Sequence, residues 1–217
     1  MAKHRTKEVA IFSGMSAHMA TIQEMLLVED SFQLAASTQL LSLYCTHKGR
    51  SVSAQLLKFL LGSCAKEQQL TVVVQLVGQL EQFHTNMVGE AVSIGLRDKK
   101  MDMEVFLSNL AKLSQLESGS CHSWVRAVTS CQAQLVEHLV KPNMTGLVLE
   151  LFRLVPIATN MRVNTLHKIS HGFVQVILNT ITSPNFTVEA SAARISSCEK
   201  ILLQLCQQHC GLQITLR

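Results

Sequence analysis

The sequence predicts an all-α fold, an α-solenoid of antiparallel helix pairs of HEAT- or armadillo-like type with about ten helices. Three observations predict it. Apolar residues recur at i, i+3, i+4 and i+7 along most of the chain, and no stretch keeps the period-two alternation of a strand. Helix starts near residues 33, 53, 67, 86, 103, 121, 144, 164 and 188 recur about every 19 residues. Two helices with their turns then take about 39 residues, close to the roughly 40–47 of HEAT and armadillo pairs. Finally, 47% of the 217 residues are hydrophobic and 16% charged, against about 25% charged in an ordinary domain. Helices this apolar need neighbours on more than one side. The units share spacing and little sequence, so an irregular helical bundle is the competing architecture.

The first thirty residues are the least regular. Lys7–Met15 is mixed and interrupted by Gly14, whereas Ala20–Glu29 reads as a helix ending at Glu29 and Asp30. Ser31–Cys64 is a helical hairpin. Its first helix carries Leu34, Leu41, Tyr44 and Cys45 at helical spacing, with Leu40 and Leu43 widening the stripe; its second carries Val52, Leu56, Leu57, Leu60 and Leu61. Between them His47, Lys48 and Arg50 surround Gly49, which ends the first helix because glycine takes a left-handed cap without steric cost. Glu67–His84 is the next helix. Its valines Val72–Val74 favour strand, but the polar residues around them keep a helical period.

Asn86–Leu96 is a short helix containing glycine, followed by the charged loop Arg97–Lys100. Asp102 then caps Met103–Leu116, whose apolar positions are Val105, Phe106, Leu110 and Leu113. After Ser118, Gly119 and Ser120, one long helix is expected from Cys121 to Val140, carrying Trp124, Val125, Val128, Cys131, Leu135 and Leu139. Lys141, Pro142 and Asn143 end it and cap Met144–Ile157. Met161–Thr182 is expected to turn Val163, Leu166, Ile169, Phe173, Val174 and Ile177 inward. Ser183–Asn185 is the last break, before Thr187–Cys210. A solenoid needs polar caps, yet the first helix starts raggedly and the last is rich in Leu and Cys. Residues 1–217 therefore read as a single helical repeat domain and a piece of a longer array.

Function classes can be narrowed from composition. Apolar runs such as LTVVVQLVGQL are broken well short of the roughly 18 residues a membrane span needs. The net charge of +4 is mild and scattered, with no case for nucleic acid by itself. Seven cysteines, mostly within helical patterns, and a start without a leader-like charge pattern suggest buried thiols in a reducing compartment. The sequons at Asn143 and Asn185 follow turn prolines and are read as helix caps.

No chemistry emerges from the motifs. His167 and His171 share a helix face at metal-ligand spacing, but the run lacks a glutamate base and a third ligand. Cys198, Cys206, His209 and Cys210 lie on one helix, which cannot wrap four ligands around zinc. Gly14–His18 is half of a nucleophile elbow without its strand. The three aspartates, Asp30, Asp98 and Asp102, all fall at helix ends. The expectation is no catalytic residue, no cofactor and no metal.

One surface does emerge. Antiparallel helices send alternate turns to the same edge, so Gly62–Lys66, Arg97–Met101, Val140–Asn143 and Ser183–Asn185 share one. It collects Lys66, Arg97, Lys99, Lys100 and Lys141 against Asp98, while Lys48, Arg50, Glu117 and Arg162 lie on the opposite edge. The first edge is a candidate contact for an acidic partner or an RNA backbone. No aromatic residues interleave for base stacking, and ordinary solvated turn charge is the alternative.

The stretches QLLSLYCTHKGRSVSAQLLKFLLGSCAKEQQLTVVVQLVGQL and VFLSNLAKLSQLES resemble the later helical region of the Integrator complex subunit 5 family. CQAQLVEHLVKPNMTGLVLELFRLVPIAT and KISHGFVQVILNTI are similar to it in the order of helices and turns. The likeness runs from about Gln39 to Arg217, without that family's Pro/Gly-rich start or large N-terminal part, as in a fragment or a divergent relative. It implies a non-catalytic nuclear scaffold that organises endonuclease and phosphatase modules for snRNA 3′-end processing and RNA polymerase II regulation. Its partners would be other subunits of a large complex, with no membrane and no small-molecule substrate. The alternatives are a HEAT-like adaptor of another assembly, in DNA repair or a vesicle coat, and a metal-dependent or nucleic-acid-processing protein using the Cys and His positions.

Overall fold

A computed structural model of the protein describes residues 31–64, 67–115, 121–139, 141, 143–158, 161–184 and 187–209. Among them are ten α-helices and no strand. They are α1 (Ser31–Lys48), α2 (Arg50–Ser63), α3 (Glu67–Leu80), α4 (Met87–Arg97), α5 (Met103–Gln115), α6 (Cys121–Ser130), α7 (Gln132–Leu139), α8 (Thr145–Leu154), α9 (Val163–Ile181) and α10 (Val188–His209). The expected helix at Ala20–Glu29, the mixed Lys7–Met15 and the Ser118–Ser120 turn lie outside the described residues.

Local chemistry sets the helix ends. The N–H of Gly49 closes α1 by donating to Cys45 O at 2.9 Å, with Gly49 at φ 92° and ψ 175°, a conformation reserved for glycine. Asp102 Oδ1 accepts the Val105 N–H at 3.2 Å and caps α5 as expected. Pro156 stops α8 at Leu154, short of Ile157, because the residue before proline is pushed out of helical geometry; Val155 sits at φ −114°, ψ 143°. Asn143 does not cap α8, which has no side-chain cap; instead the Thr145 hydroxyl turns back to Leu139 O at 2.8 Å.

The long helix expected over Cys121–Val140 is broken. At Cys131 the N–H is shared between Ala127 O at 3.2 Å and Val128 O at 3.0 Å, and the Ser130 hydroxyl bonds Ala127 O at 2.8 Å. This tightened turn divides α6 from α7. Similarly, α3 ends at Leu80 rather than His84, with the N–H groups of Phe83 and His84 both donating to Leu80 O.

Helices two apart pack side by side. One row contains α1, α3, α5, α8 and α10, and the other α2, α4, the α6–α7 pair and α9. Sequential neighbours such as α1 and α2, α7 and α8, and α9 and α10 join the rows. Side-chain ties show the offset. Lys58 reaches Asp98 and Arg50 reaches Glu90, each at 2.8 Å. Gln134 meets Ser93 at 3.3 Å, and His138 meets Leu96 O at 3.1 Å, 41 and 42 residues away. Ties in the same order along both helices mean that α2, α4 and α6–α7 run parallel. This neighbour pattern, near the expected 39-residue unit, is consistent with a solenoid.

The core runs between the rows. Phe106, Trp124, Phe152 and Phe173 are fully buried, and the last two meet edge to face with centroids 5.0 Å apart. Two expectations are corrected at the ends of the rows. In α1 only Leu41 and Cys45 of the described stripe are buried, whereas Leu40 is 58% and Leu43 69% exposed, with Tyr44 also exposed. In α9, Val163 and Val174, expected inside, are 79% and 44% exposed. Each helix buries the face that meets its neighbours and leaves one apolar flank open.

Candidate functional site

Buried polar side chains hold the helix ends in register. The last carbonyls of a helix lack intrahelical donors, and in this chain side chains distant in sequence supply some of them. Asn109 of α5, 2% exposed, donates both amide hydrogens, to Leu61 O and Cys64 O at 2.8 Å each. At the end of α1, His84 Nε2 lies 3.2 Å from Cys45 O. Gln132 of α7 donates to Pro156 O at 3.0 Å and accepts the Ala158 N–H at 3.1 Å, clamping the segment after α8.

His138 is placed the same way beneath the expected basic edge. Its Nε2 faces Leu96 O, so that nitrogen carries the proton; Nδ1 lies 3.3 Å from Lys141 Nζ and accepts from it. The Lys141 contact requires the neutral imidazole, whereas the Leu96 contact can be made by either form. Burial chiefly, and the Lys141 charge after it, lower its pKa from the ordinary 6.5, against the opposing pull of the Leu96 carbonyl. The unfolded chain then binds a proton first as pH falls. This stability contribution is complete above about 6.5 and declines below it, towards the depressed folded value. Urea unfolding from about pH 8 to about pH 5 should show that loss in the wild type. The His138→Gln variant, whose amide still donates to Leu96 O, should show a smaller one.

Arg97, Lys99, Lys100 and Lys141 are all exposed, and the His138 contacts bring Lys141 to the end of α4 that bears Arg97. Lys66 lies outside the described residues. Asp98 is held by Lys58 Nζ and by the Lys100 N–H at 3.0 Å, and these bonds keep its carboxyl below the usual range. Carboxylates the turn count left out also sit here. Asp102 and Glu104 line a groove of about 540 Å³ with Cys64, Lys112 and Asn143. The described end is therefore cationic around α4 and α7 and acidic at the start of α5.

The other sequence candidates separate. His167 and His171 are exposed on α9 with nearly parallel rings, centroids 6.5 Å apart. Cys198 is buried and Cys206 exposed, while Cys210 lies outside the described residues. Among the described residues no group of three or more His, Cys, Asp or Glu is placed to share a metal ion. Burial pushes the thiols of Cys45, Cys64 and Cys198 up to about 11, and that of Cys131 upward, so they stay protonated at neutral pH. No described helix is long and apolar enough to cross a membrane.

Two features had no counterpart in the sequence reading. One is a second groove, about 520 Å³, between α8 and α10, where Arg153, Arg194 and Lys200 surround Glu150 and Phe152. Their spacing along separate helices gave no local signal. The other is the exposed apolar flank of α9, whose residues are periodic but whose exposure is not written in the periodicity.

Comparison with known proteins adds the remaining finding. The family model described as Integrator complex subunit 5 C-terminus matches residues 1–214. A search of curated proteins gives no match. Among solved structures, the crystal structure of an engineered protein is similar at 12% identity and a TM-score of 0.32, covering 85% of both chains. That likeness is too distant to carry an argument.

Proposed function

We propose a function from one premise: this chain belongs to the Integrator complex subunit 5 C-terminus family. It is a non-catalytic scaffold segment of the nuclear Integrator complex. It forms one helical repeat domain within a longer array and organises the endonuclease and phosphatase modules for snRNA 3′-end processing and RNA polymerase II regulation. The family match carries this reading. In support, the two helix rows put the buried polar groups to structural use: Asn109, His138 and Gln132 are spent on helix ends. What remains on the outside is surface suited to protein partners. We further propose that Arg97, Lys99, Lys100 and Lys141, with Lys66, form a contact for an acidic partner or RNA backbone.

Affinity purification with mass spectrometry tests the first part. Other Integrator subunits should be recovered, and recovery of coat or DNA-repair proteins without them would overturn it. For the basic edge, Lys99→Glu with Lys100→Glu is the cleaner variant. Lys141→Glu would also place an anion against His138 and disturb the fold. Unchanged recovery of every partner would remove the edge from the proposal.

A further inference from the structure

The groove between α8 and α10 has a surplus of positive charge over an apolar floor. Along α10, Arg194, Ser197, Lys200 and Gln204 follow at steps of 3, 3 and 4 residues, one face of a helix, and all four line the groove. Arg153 lines it from α8, so three cations meet one carboxylate, Glu150. Arg194 and Lys200 are exposed, and among the described residues neither has an ion-pair partner. Glu150 only partly answers Arg153. Its Oε1 accepts Gln115 Nε2 at 2.8 Å and lies 3.7 Å from Arg153 Nη2, and the arginine side chain stays 74% exposed. A pair this long and exposed contributes little, which leaves the guanidinium with donors to spare.

Shape selects among anions. α8 and α10 pack less closely than α5 and α8, and the space between them is about 520 Å³. From Arg194 to Gln204 the groove runs about 15 Å along α10. That length takes about four extended residues, more than a single small anion fills. Leu149, Phe152 and Ile201, all buried, form the floor. A phosphate backbone would leave that floor uncovered, and Phe152, packed edge to face on Phe173, presents no face for base stacking. A peptide answers both features, with carboxylates on the cations and an apolar side chain on the floor.

The chain's own carboxylates do not supply such a segment. Glu8, Glu24 and Glu117, outside the described residues, have no second carboxylate within four positions. Glu29 and Asp30 are adjacent, but they directly precede Ser31 of α1, a reach of only about 7 Å. Two helices of the row, α3 and α5, stand between α1 and α8, a separation of about 25 Å at ordinary helix spacing.

We propose that this groove binds an acidic peptide segment of a partner protein, its carboxylates on Arg153, Arg194 and Lys200 and an apolar residue over Leu149, Phe152 and Ile201. The site is distinct from the basic edge around α4 and α7.

The test uses the full-length protein in its cellular complex, with a photocrosslinking residue replacing Gln204, which is exposed at the groove. The crosslinked species is mapped by mass spectrometry. The expected product is a peptide from another protein with two or more Asp or Glu within about five residues and an apolar residue among them. Arg194→Glu with Lys200→Glu should reduce its yield by about tenfold or more. Both side chains are exposed, and unchanged circular dichroism would show that the fold survives. If that reversal disturbs the helix, Arg194→Gln with Lys200→Gln must still lower the yield, by about threefold. A crosslink to RNA, to a second copy, to this same chain or to a peptide without carboxylates overturns the proposal. So does undiminished yield from the variants, or no crosslink from position 204. Recovery of Integrator subunits without that crosslink defeats the groove alone. A wild type that recovers none of them defeats the scaffold reading, while the identity of the crosslinked peptide still decides the groove.

Discussion

Asn109→Leu should lower the stability of the chain by about 3 kcal/mol, read in urea as a lower midpoint with an unchanged slope. The side chain sits 2% exposed in α5 and gives its two N–H groups to Leu61 O and Cys64 O, both at 2.8 Å. Leucine fills the space but leaves two buried acceptors without donors, each costing about 1–3 kcal/mol. The extra apolar burial recovers only about 1 kcal/mol of that. Asn109→Asp should be worse, because it keeps the shape, removes both donors and sets a carboxylate against two carbonyl oxygens. An aspartate variant as stable as wild type would contradict the account.

The second large effect is expected at Gly95. A Cβ there would lie 2.3 Å from Phe106 Cζ and 2.5 Å from its Cε2, so the α4 backbone rests directly on the ring. Alanine in a helix normally gains about 1 kcal/mol over glycine. Here the ring is fully buried and cannot swing aside. Overpacking costs about 1–3 kcal/mol and occasionally more, so Gly95→Ala should destabilise by about 2 kcal/mol net. Gly78 is the control: nothing lies within 4 Å of its Cβ position, and Gly78→Ala should gain stability. Phe106→Leu combined with Gly95→Ala should be less damaging than the sum of the singles, by about 1 kcal/mol. Strict additivity would mean that the two residues do not touch.

The difference between these residues shows what could be read in advance. The Gly49 stop and the Asp102 cap were legible because each works within four residues of chain. The spacing of the unit was legible too, since it is a sum of local helix lengths and turns. The break at Cys131 was not: Cys121–Leu139 keeps an unbroken apolar period, and only the shared hydrogen bonds at Ala127 and Val128 divide it. Nor was the role of Asn109. It reads as one polar residue inside an apolar helix, and its two acceptors lie 48 and 45 residues earlier.

The basic edge is intermediate. Turn alternation predicts one edge carrying Lys66, Arg97, Lys99, Lys100 and Lys141, and the four of these that the structure describes are exposed. Counting charges within the turns missed Asp102 and Glu104, which belong to the cap and first turn of α5 yet line the adjoining groove. It also missed that Lys141 leans on His138.

By itself the sequence determined the all-helical class, most helix boundaries and the length of the unit. Those follow from periodicity, caps and turn residues, which act over a few neighbours in the chain. Only the tertiary structure decided which apolar residues are inside. Val174 and Phe173 are adjacent on α9 and equally apolar in pattern, yet one is 44% exposed and the other buried. Burial belongs to the helices standing alongside. Among the described residues, α7 and α10 are the helices that pack most closely on α9, and Val174 lies outside both contacts.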